Sequence, residues 1–353
     1  MAKSTEQTGA NDLVLAMKFR DLRSPEDFCQ QYIVAGAVFS LSTNSEEIHA
    51  AVGESFAVVT EPVPAPEVTM RLLVEAGSHN APAWPKPYFR GLRHLVFARF
   101  DSESQLLVDL RTHRIIGRFS PALAADRAYL KKVVFPAIFG IVSQTIRITP
   151  LHCACVAWNA RGFLLAGESG SGKSTLSLAL AQSGLTFISD DWTFLSRRGS
   201  HVLAWSLNNS LKLLPDAAEH FPELAQIDPI VSLNDELAYE LEPDRLFGIR
   251  HAPSTEPRCV IFLKRQENQE FNLTKMSSSE AVAHLEQSLE ELPATVWSAR
   301  DFLMETFRIL AQLPCWELRY GADAPQVTAR SLLRFLNDNV DPNPASMREE
   351  YAS

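Results

Sequence analysis

A glycine-rich segment near the middle of the chain has the residue types and the spacing of a phosphate-binding loop. It matches the pattern Gly-x-x-x-x-Gly-Lys-Ser/Thr at every fixed position. Backbone N–H groups converge on a phosphate only where glycine permits a positive φ or a close approach. The lysine of such a loop reaches the β- and γ-phosphate oxygens, and the hydroxyl that follows it ligates Mg²⁺. We therefore predict nucleotide binding by Gly167, Glu168, Ser169, Gly170, Ser171, Gly172, Lys173, Ser174 and Thr175.

Two adjacent carboxylates follow this loop after one helix-length segment and one short apolar run. They are Asp190 and Asp191. In an open α/β sheet the carboxyl ends of strands meet at the edge where ligands bind. One carboxylate there can hold Mg²⁺, and the other can accept the proton of an attacking hydroxyl. We predict Ser174 and Asp190 as metal ligands, and Asp190, Asp191 and Lys173 as catalytic residues; a solvated turn at a strand end is the alternative for the acid pair.

A histidine upstream of the loop is a third candidate. If the apolar run 151–158 pairs with 163–167 around a turn at 159–162, the register places His152 opposite Ser169. An imidazole in that place can orient an aspartate or share its proton near neutral pH. A hydrogen-bonded strand histidine without a chemical role is the alternative.

The pattern of apolar residues from position 151 onward predicts strands that alternate with helices. Such alternation is typical of an α/β sandwich. The predicted strands are 151–158, 162–166, 185–189, 257–263 and 315–320, and the predicted helices are 173–183, 279–291, 299–312 and 326–336.

The first 150 residues have a mixed pattern that predicts an α+β domain. We expect strands at 35–43 and 67–75, a capped helix at 45–56, a hairpin or meander over 94–119, and a long helix over 121–145 with a kink at Pro136. The predicted organisation is an α+β domain over 1–150 that recognises the substrate, a catalytic α/β domain over 151–340 and a disordered tail over 341–353.

Composition limits the partners. The chain has 353 residues and a formal net charge of −9, which disfavours nucleic acids and anionic membranes. The longest apolar run, 133–142, is too short to cross a bilayer, and no secretory signal is recognisable, so we expect a cytoplasmic protein. The five cysteines lack metal-ligand spacing, and Cys153 and Cys155 are predicted to pack in the core. The sequence is compatible with a homo-oligomer.

Three segments together resemble the C-terminal catalytic domain of bacterial HPr kinase/phosphorylase and of the wider HPr-kinase-like group. They are Leu-His-Cys-Ala-Cys-Val at 151–156, Gly-Glu-Ser-Gly-Ser-Gly-Lys-Ser at 167–174 and Ile-Ser-Asp-Asp at 188–191. No Glu-x-Arg-Gly-x-Gly signature follows the acid pair, so the resemblance is closer to the stand-alone relatives, some of which phosphorylate peptides.

The resemblance implies a P-loop α/β core related to phosphoenolpyruvate carboxykinase, with ATP and Mg²⁺ as cofactors. It implies that Ser174 binds Mg²⁺, that Asp190 lies at the metal and phosphate, and that Asp191 takes the proton of a substrate serine. It also implies that His152 supports the acid pair.

The expected function is transfer of the γ-phosphoryl group of ATP to a hydroxyl, with serine of a protein or peptide as the acceptor. An NTPase switch, a nucleotide-sensing module and a kinase of small molecules are the alternatives. Lys212 is a further candidate for neutralising phosphate charge, and Arg258 or Arg265 for approaching the nucleotide. Exposed positions on or beside strands are the alternative for all three.

Overall fold

The structure, a computed structural model, describes residues 28–80, 84–199, 201–232, 235–266, 270–287, 297–321 and 324–339. The tail predicted to be disordered lies outside these residues. The chain divides into two compact units, one formed by Met1–Ile146 with Pro293–Val296 and the other by Arg147–Leu292 with Trp297–Ser353.

The first unit is built on a mixed sheet. Its strands are β1 (Phe28–Val34), β2 (Ala37–Thr43), β3 (Ala57–Val58), β4 (Val68–Val74), β5 (Tyr88–Leu92), β6 (Leu95–Arg99), β7 (Gln105–Asp109) and β8 (Arg114–Phe119), in the order β3-β1-β2-β4-β8-β7-β6-β5. The neighbours β2, β4 and β8 run parallel, and the other pairs run antiparallel. Helix α1 (Glu46–Ser55) begins after Ser45, whose side chain accepts the N–H of Ile48. The predicted helix at 45–56, strand at 67–75 and meander over 94–119 are confirmed.

The segment 121–145, predicted as one long helix, is not continuous. It is divided into α2 (Pro121–Ala125), α3 (Arg127–Tyr129), a π-helix (Leu130–Val134), α4 (Phe135–Val142) and a 3₁₀ turn (Ser143–Ile146). The first break falls at Asp126, whose carboxylate caps α3 by accepting the N–H of Tyr129. The π-helix ends just before Pro136, where the missing N–H interrupts the regular ladder.

The second unit contains the strands and helices that the sequence predicts from position 151 onward. Its strands are β9 (Ile148–Leu151), β10 (Cys153–Trp158), β11 (Arg161–Gly167), β12 (Thr186–Ser189), β13 (Thr193–Arg198), β14 (His201–Trp205), β15 (Leu211–Leu213), β16 (Ile230–Val231), β17 (Leu237–Leu241), β18 (Ser254–Arg265), β19 (Asn272–Lys275) and β20 (Cys315–Tyr320). Its helices are α5 (Lys173–Gln182), α6 (Pro243–Phe247), α7 (Ser278–Gln287), α8 (Trp297–Leu310) and α9 (Pro325–Asn339), with 3₁₀ turns at Pro215–Glu219 and Pro222–Gln226. The end of the helix predicted at 279–291 lies outside the described residues.

The main sheet has the order β12-β10-β11-β18-β14-β13-β9, with β20 paired to β18 and β19, and a small sheet has the order β15-β17-β16. Strands β11, β18 and β20 are parallel neighbours. Helices cover both faces. On β11, Phe163 and Leu165 pack with α5 and α9, whereas Leu164 and Ala166 pack with α7 and α8. The chain therefore has an α/β fold, because buried strands alternate their side chains between two helical layers.

Two local predictions in this unit are wrong. The strand predicted at 151–158 is interrupted at His152, because β9 pairs with β13 while β10 pairs with β11 and β12. The hairpin turn has two residues, Asn159 and Ala160, both at positive φ, rather than four. Trp158 therefore pairs with Arg161, and the predicted register that places His152 opposite Ser169 is shifted.

Cys153 and Cys155 are fully buried in the layer against α7 and α8, as predicted. Burial raises the pKa of Cys153 to about 12 and that of Cys155 well above its ordinary value. Among the described residues, no helix has the length and apolarity needed to cross a membrane.

Candidate active site

One edge of the main sheet brings together the three segments that carry the candidate residues. Strand β10 runs antiparallel to both β11 and β12, so its first residues lie beside the last residues of both neighbours. His152 directly precedes β10, Gly167 ends β11, and Asp190 follows β12. Strand β10 thus lies between β11, which leads into the loop, and β12, which leads to the acids.

The loop between β11 and α5 uses glycine where no other residue fits. Gly167 has a φ of 153°, and a Cβ atom there would lie 2.7 Å from the carbonyl oxygen of Leu263. Gly172 has a φ of 87°, and a Cβ atom there would collide with the hydroxyl of Tyr320. That hydroxyl donates to the carbonyl oxygen of Ser171. The loop is thus fixed against the ends of β18 and β20, with the N-terminus of α5 directed at its centre.

Lys173 lies inside this loop rather than extending into solvent. Its side chain is buried, and Nζ donates to the carbonyl oxygens of Gly167 at 2.9 Å and Glu168 at 3.0 Å. Burial lowers the pKa of Lys173, while the negative charge of Asp191 opposes that change. The ammonium is therefore held inside the loop by two of its carbonyl oxygens.

The other loop residues differ in exposure. Ser169 and Gly170 are exposed at the tip, and Thr175 is half-buried in the first turn of α5. Ser171 is buried, and its hydroxyl oxygen has no hydrogen-bond partner among the described residues.

Asp190 is a partly buried carboxylate at the end of β12. Its Oδ2 atom accepts the backbone N–H of Lys212 at 3.1 Å, whereas its buried Oδ1 atom has no hydrogen-bond partner in the part of the chain that the structure describes. Burial raises the pKa of Asp190 to about 6, and the nearby Ser174 hydroxyl and the Lys212 N–H act in the opposite direction. An unpartnered, desolvated carboxylate oxygen next to a hydroxyl is costly unless another group binds it.

Asp191 and His152 form a hydrogen-bonded pair. His152 Nε2 lies 2.8 Å from Asp191 Oδ1, and the Asp191 side chain is 58% exposed. The His152 hydrogen bond lowers the pKa of Asp191, and the charges of Lys173 and Lys212 act in the same direction. Asp191 is thus an ionised, solvent-accessible acceptor whose lone pairs are oriented by an imidazole.

The backbone around the acid pair is in an unusual conformation that its neighbours stabilise. Asp191 has a φ of 63°, in the left-handed region that non-glycine residues seldom adopt. The N–H of Trp192 donates to the carbonyl oxygen of Asp190 at 2.7 Å, and the Trp192 ring stacks on His152 with centroids 5.5 Å apart. Thr193 Oγ1 donates to the carbonyl oxygen of Cys153 at 2.9 Å. These contacts connect the turn to the start of β10.

The donor set fits a hard divalent cation that also binds phosphate. Ser174 and Asp190 supply oxygen atoms, and Mg²⁺ in phosphoryl-transfer sites takes one or two protein oxygens and completes its shell with phosphate and water. Within the described ranges, no group of three or more His, Cys, Asp or Glu residues forms a self-sufficient metal site. The unpartnered Oδ1 atom of Asp190 is the observation that favours a cation beside the loop.

The structure separates the basic candidates. Lys212 is beside the acid pair, and its Nζ lies 2.8 Å from Glu236. Arg258 is paired with Glu256 at 2.9 Å, before the part of β18 that reaches the loop. Arg265, at the end of β18, lines a cavity together with Gly172.

Sequence reasoning missed Trp192, Thr193, Glu236 and Tyr320 as neighbours of the site. For Tyr320 a signal existed, since an aromatic residue with a hydroxyl ends a strand predicted to belong to the α/β sheet. The position of Glu236 depends on the pairing of β15 with β17, which a local sequence pattern does not specify.

Comparisons with known proteins give little further information. No family model matches the chain, and no curated protein matches it. One solved structure that resembles part of it is that of the Hpr(Ser) kinase/phosphatase from Coxiella burnetii, at 15% sequence identity and a TM-score of 0.31, covering 53% of this chain and 95% of that chain. A likeness at that score establishes neither a shared fold nor a shared activity, so the function has to be inferred from the residues of the site.

Proposed function

We propose that this protein is a Mg·ATP-dependent kinase that transfers the γ-phosphoryl group to a hydroxyl, serine of a protein or peptide being the acceptor. The observation that carries the proposal is the arrangement of the two aspartates. Asp191 is hydrogen-bonded to His152 at 2.8 Å, and Asp190, near Ser174, has one oxygen without a partner among the described residues. Both lie at the sheet edge where the glycine-rich loop holds Lys173. This is the set of groups that phosphoryl transfer requires.

The loop and its helix would bind the triphosphate. Backbone N–H groups at the start of α5 face the anion, and the Lys173 ammonium, now held by two loop carbonyls, is within reach of the phosphate oxygens. Ser174 and Asp190 would hold Mg²⁺, which when bound neutralises charge that develops on the phosphates. These groups stabilise the transition state electrostatically, which is the main source of catalysis in phosphoryl transfer.

Asp191 would accept the proton of the attacking hydroxyl. Its pKa is lowered, so it is ionised at neutral pH, and the hydrogen bond from His152 fixes the orientation of its carboxylate. A carboxylate of low pKa is a weak base, which suits a loose transition state in which the hydroxyl loses its proton late.

The exposure of Asp191 favours a polypeptide over a metabolite as the substrate that receives the phosphoryl group. The Asp191 side chain is 58% exposed and the His152 side chain 30% exposed, so a serine on an extended segment can approach without an enclosing pocket. Trp192, stacked on His152, offers an apolar surface beside the base. We further propose that residues 1–150 contribute to recognition of the acceptor.

Transfer from γ-³²P-ATP to a degenerate serine peptide library would test the proposal. We expect labelled phosphoserine with the wild type and none with Lys173→Met or Asp191→Asn, and Asp191→Asn should keep its ATP affinity within a few-fold. Phosphate release that is fast without peptide and unaffected by it would instead indicate an NTPase. Label in a small metabolite but not in peptides would overturn the polypeptide acceptor.

A further inference from the structure

An open cavity lies at the start of α5, and neither aspartate of the acid pair is among its lining residues. Its wall includes Gly172 and Thr175 from the loop and helix, Arg265 from the end of β18, and Tyr320 from the end of β20. The first 3₁₀ turn closes the other side with Asp216 and its neighbours. None of the residues used in the proposed chemical step lines it.

The strand order places the wall of this cavity that β18 and β20 form on the other side of β11 from the acids. Strands β10 and β12 lie on one side of β11 and lead to His152, Asp190 and Asp191, whereas β18 and β20 lie on the other side and lead to Arg265 and Tyr320. A triphosphate in the loop with its γ-phosphate at Asp191 must leave the loop on the opposite side. We propose that the cavity binds the nucleoside half of the nucleoside triphosphate, an inference that rests on the proposed function.

The lining chemistry matches a nucleoside. Leu176, Ala217 and Pro325 are buried apolar residues that can contact the flat face of a base. The half-buried imidazole of His220 adds a ring that can stack on it. The exposed carboxylate of Asp216 accepts hydrogen bonds from ribose hydroxyls or from an exocyclic amine.

Arg265 lines the cavity and lies beside Tyr320 in the register of β18 and β20. Its cation opposes the effect of burial on Tyr320, whose pKa burial raises to about 12. The Tyr320 hydroxyl is bound to the carbonyl oxygen of Ser171, and Arg265 lines the same cavity as Gly172, the last glycine of the loop. The α-phosphate joins the loop to the nucleoside, so Arg265 is placed to bind it.

The wall is held by contacts that do not involve a ligand. The Gln326 side chain, in the first turn of α9, donates to the carbonyl oxygen of His220 at 2.8 Å. This contact ties the end of the 3₁₀ turn to α9, and the bond from Tyr320 to Ser171 ties β20 to the loop. A preformed cavity loses less conformational entropy when it binds a ligand.

Calorimetric binding of Mg·ATP and of Mg·tripolyphosphate would separate the contribution of the nucleoside to the affinity from that of the phosphates. We expect His220→Ala and Asp216→Ala to weaken ATP binding about tenfold, as expected for the loss of a stacking contact or of a hydrogen bond to a charged group, and to leave tripolyphosphate binding within about twofold. Arg265→Ala should weaken both ligands. The matched controls Glu219→Ala, on the same 3₁₀ turn, and Lys264→Ala, beside Arg265, are exposed positions outside the lining and should change neither.

Photolabelling of the wild type with 8-azido-ATP gives a second measurement that does not depend on how the variants fold. We expect label on peptides that contain 216–220 or 325–328. Label confined to other peptides, or equal weakening of ATP and tripolyphosphate in the His220→Ala variant, would overturn the cavity assignment while leaving the kinase proposal intact. A wild type that binds neither ligand would overturn the kinase proposal itself.

Discussion

His152 Nε2 lies 2.8 Å from Asp191 Oδ1 although the two residues are 39 positions apart in the chain. The contact exists because His152 occupies the break between β9 and β10, while Asp191 follows β12, the antiparallel neighbour of β10. A strand inserted between the loop strand and the acid strand thus brings a histidine to the acids. The same insertion leaves the loop, the acids and the histidine on one edge of the sheet.

We predict that Asp191→Asn abolishes transfer without abolishing nucleotide binding. The amide cannot take the proton of the hydroxyl, and loss of a general base typically costs about 10²- to 10⁴-fold in rate. ATP affinity should stay within a few-fold, since Asp191 is exposed and does not line the loop. Single-turnover transfer and equilibrium ATP binding would be measured on the same preparation. A variant that transfers at the wild-type rate would refute the assigned role.

A second prediction concerns the pH profile of the His152→Ala variant. The hydrogen bond from His152 is the largest cause of the lowered pKa of Asp191, so its removal must raise that pKa. Because transfer requires the ionised carboxylate, the acid limb of the pH–rate profile should move to higher pH in the variant. His152→Gln, which can still donate a hydrogen bond, should move it less. An unchanged acid limb in both variants would show that His152 has only a structural role.

The α/β layers could be predicted from the sequence because their signals are local. An apolar run, a glycine-rich turn and an amphipathic segment identify β11, the loop and α5 without any knowledge of the neighbours. The helix cap at Ser45 and the positive φ of Gly184 after α5 are equally local. Strand β20 was predicted with its observed bounds, because its turn and helix boundaries are marked in the sequence.

The site geometry could be predicted only in part, because the sequence of a strand does not specify which distant strand it pairs with. The two-residue turn at Asn159 and Ala160 gives a register different from the one predicted for His152. His152 nevertheless contacts Asp191, because it lies at the start of β10 beside the end of β12. The partnership of Lys212 with Asp190 and Glu236 depends on how β15 docks and pairs with β17. Neither contact follows from hydrophobic periodicity.

We also predict that Asp190→Asn stabilises the metal-free protein at neutral pH. The pKa of Asp190 is raised to about 6 by burial, so the fold favours the protonated acid and loses stability as pH rises through that value. A rise from the ordinary 3.8 corresponds to roughly 2–3 kcal/mol. At pH 7.5 without Mg²⁺ the variant should therefore melt at a higher temperature than the wild type, and near pH 4 the difference should vanish.

The same substitution should remove the metal response. In the wild type, Mg·ATP should raise the melting temperature at pH 7.5 and do so less below pH 6, where protons compete for Asp190. In Asp190→Asn the increment should be small at both values. An equal increment in the two proteins would contradict the role of Asp190 as a metal ligand.

Lys212 provides the last prediction. Its backbone N–H holds Asp190 at 3.1 Å, and its ammonium, 2.8 Å from Glu236, acts on the pKa of Asp191. Lys212→Met keeps the backbone contact and removes the charge beside the transferred phosphoryl group, so we expect the turnover rate to fall about tenfold with the KM for ATP within about twofold.

The matched variant Glu236→Gln breaks the ion pair but keeps the cation, and it should retain most of the rate. The ion pair is partly exposed and contributes about 1 kcal/mol or less, so both variants should melt within a few degrees of the wild type. Equal losses of rate in the two variants, or a loss that tracks the melting temperature, would show that the pair supports the fold and not the transfer.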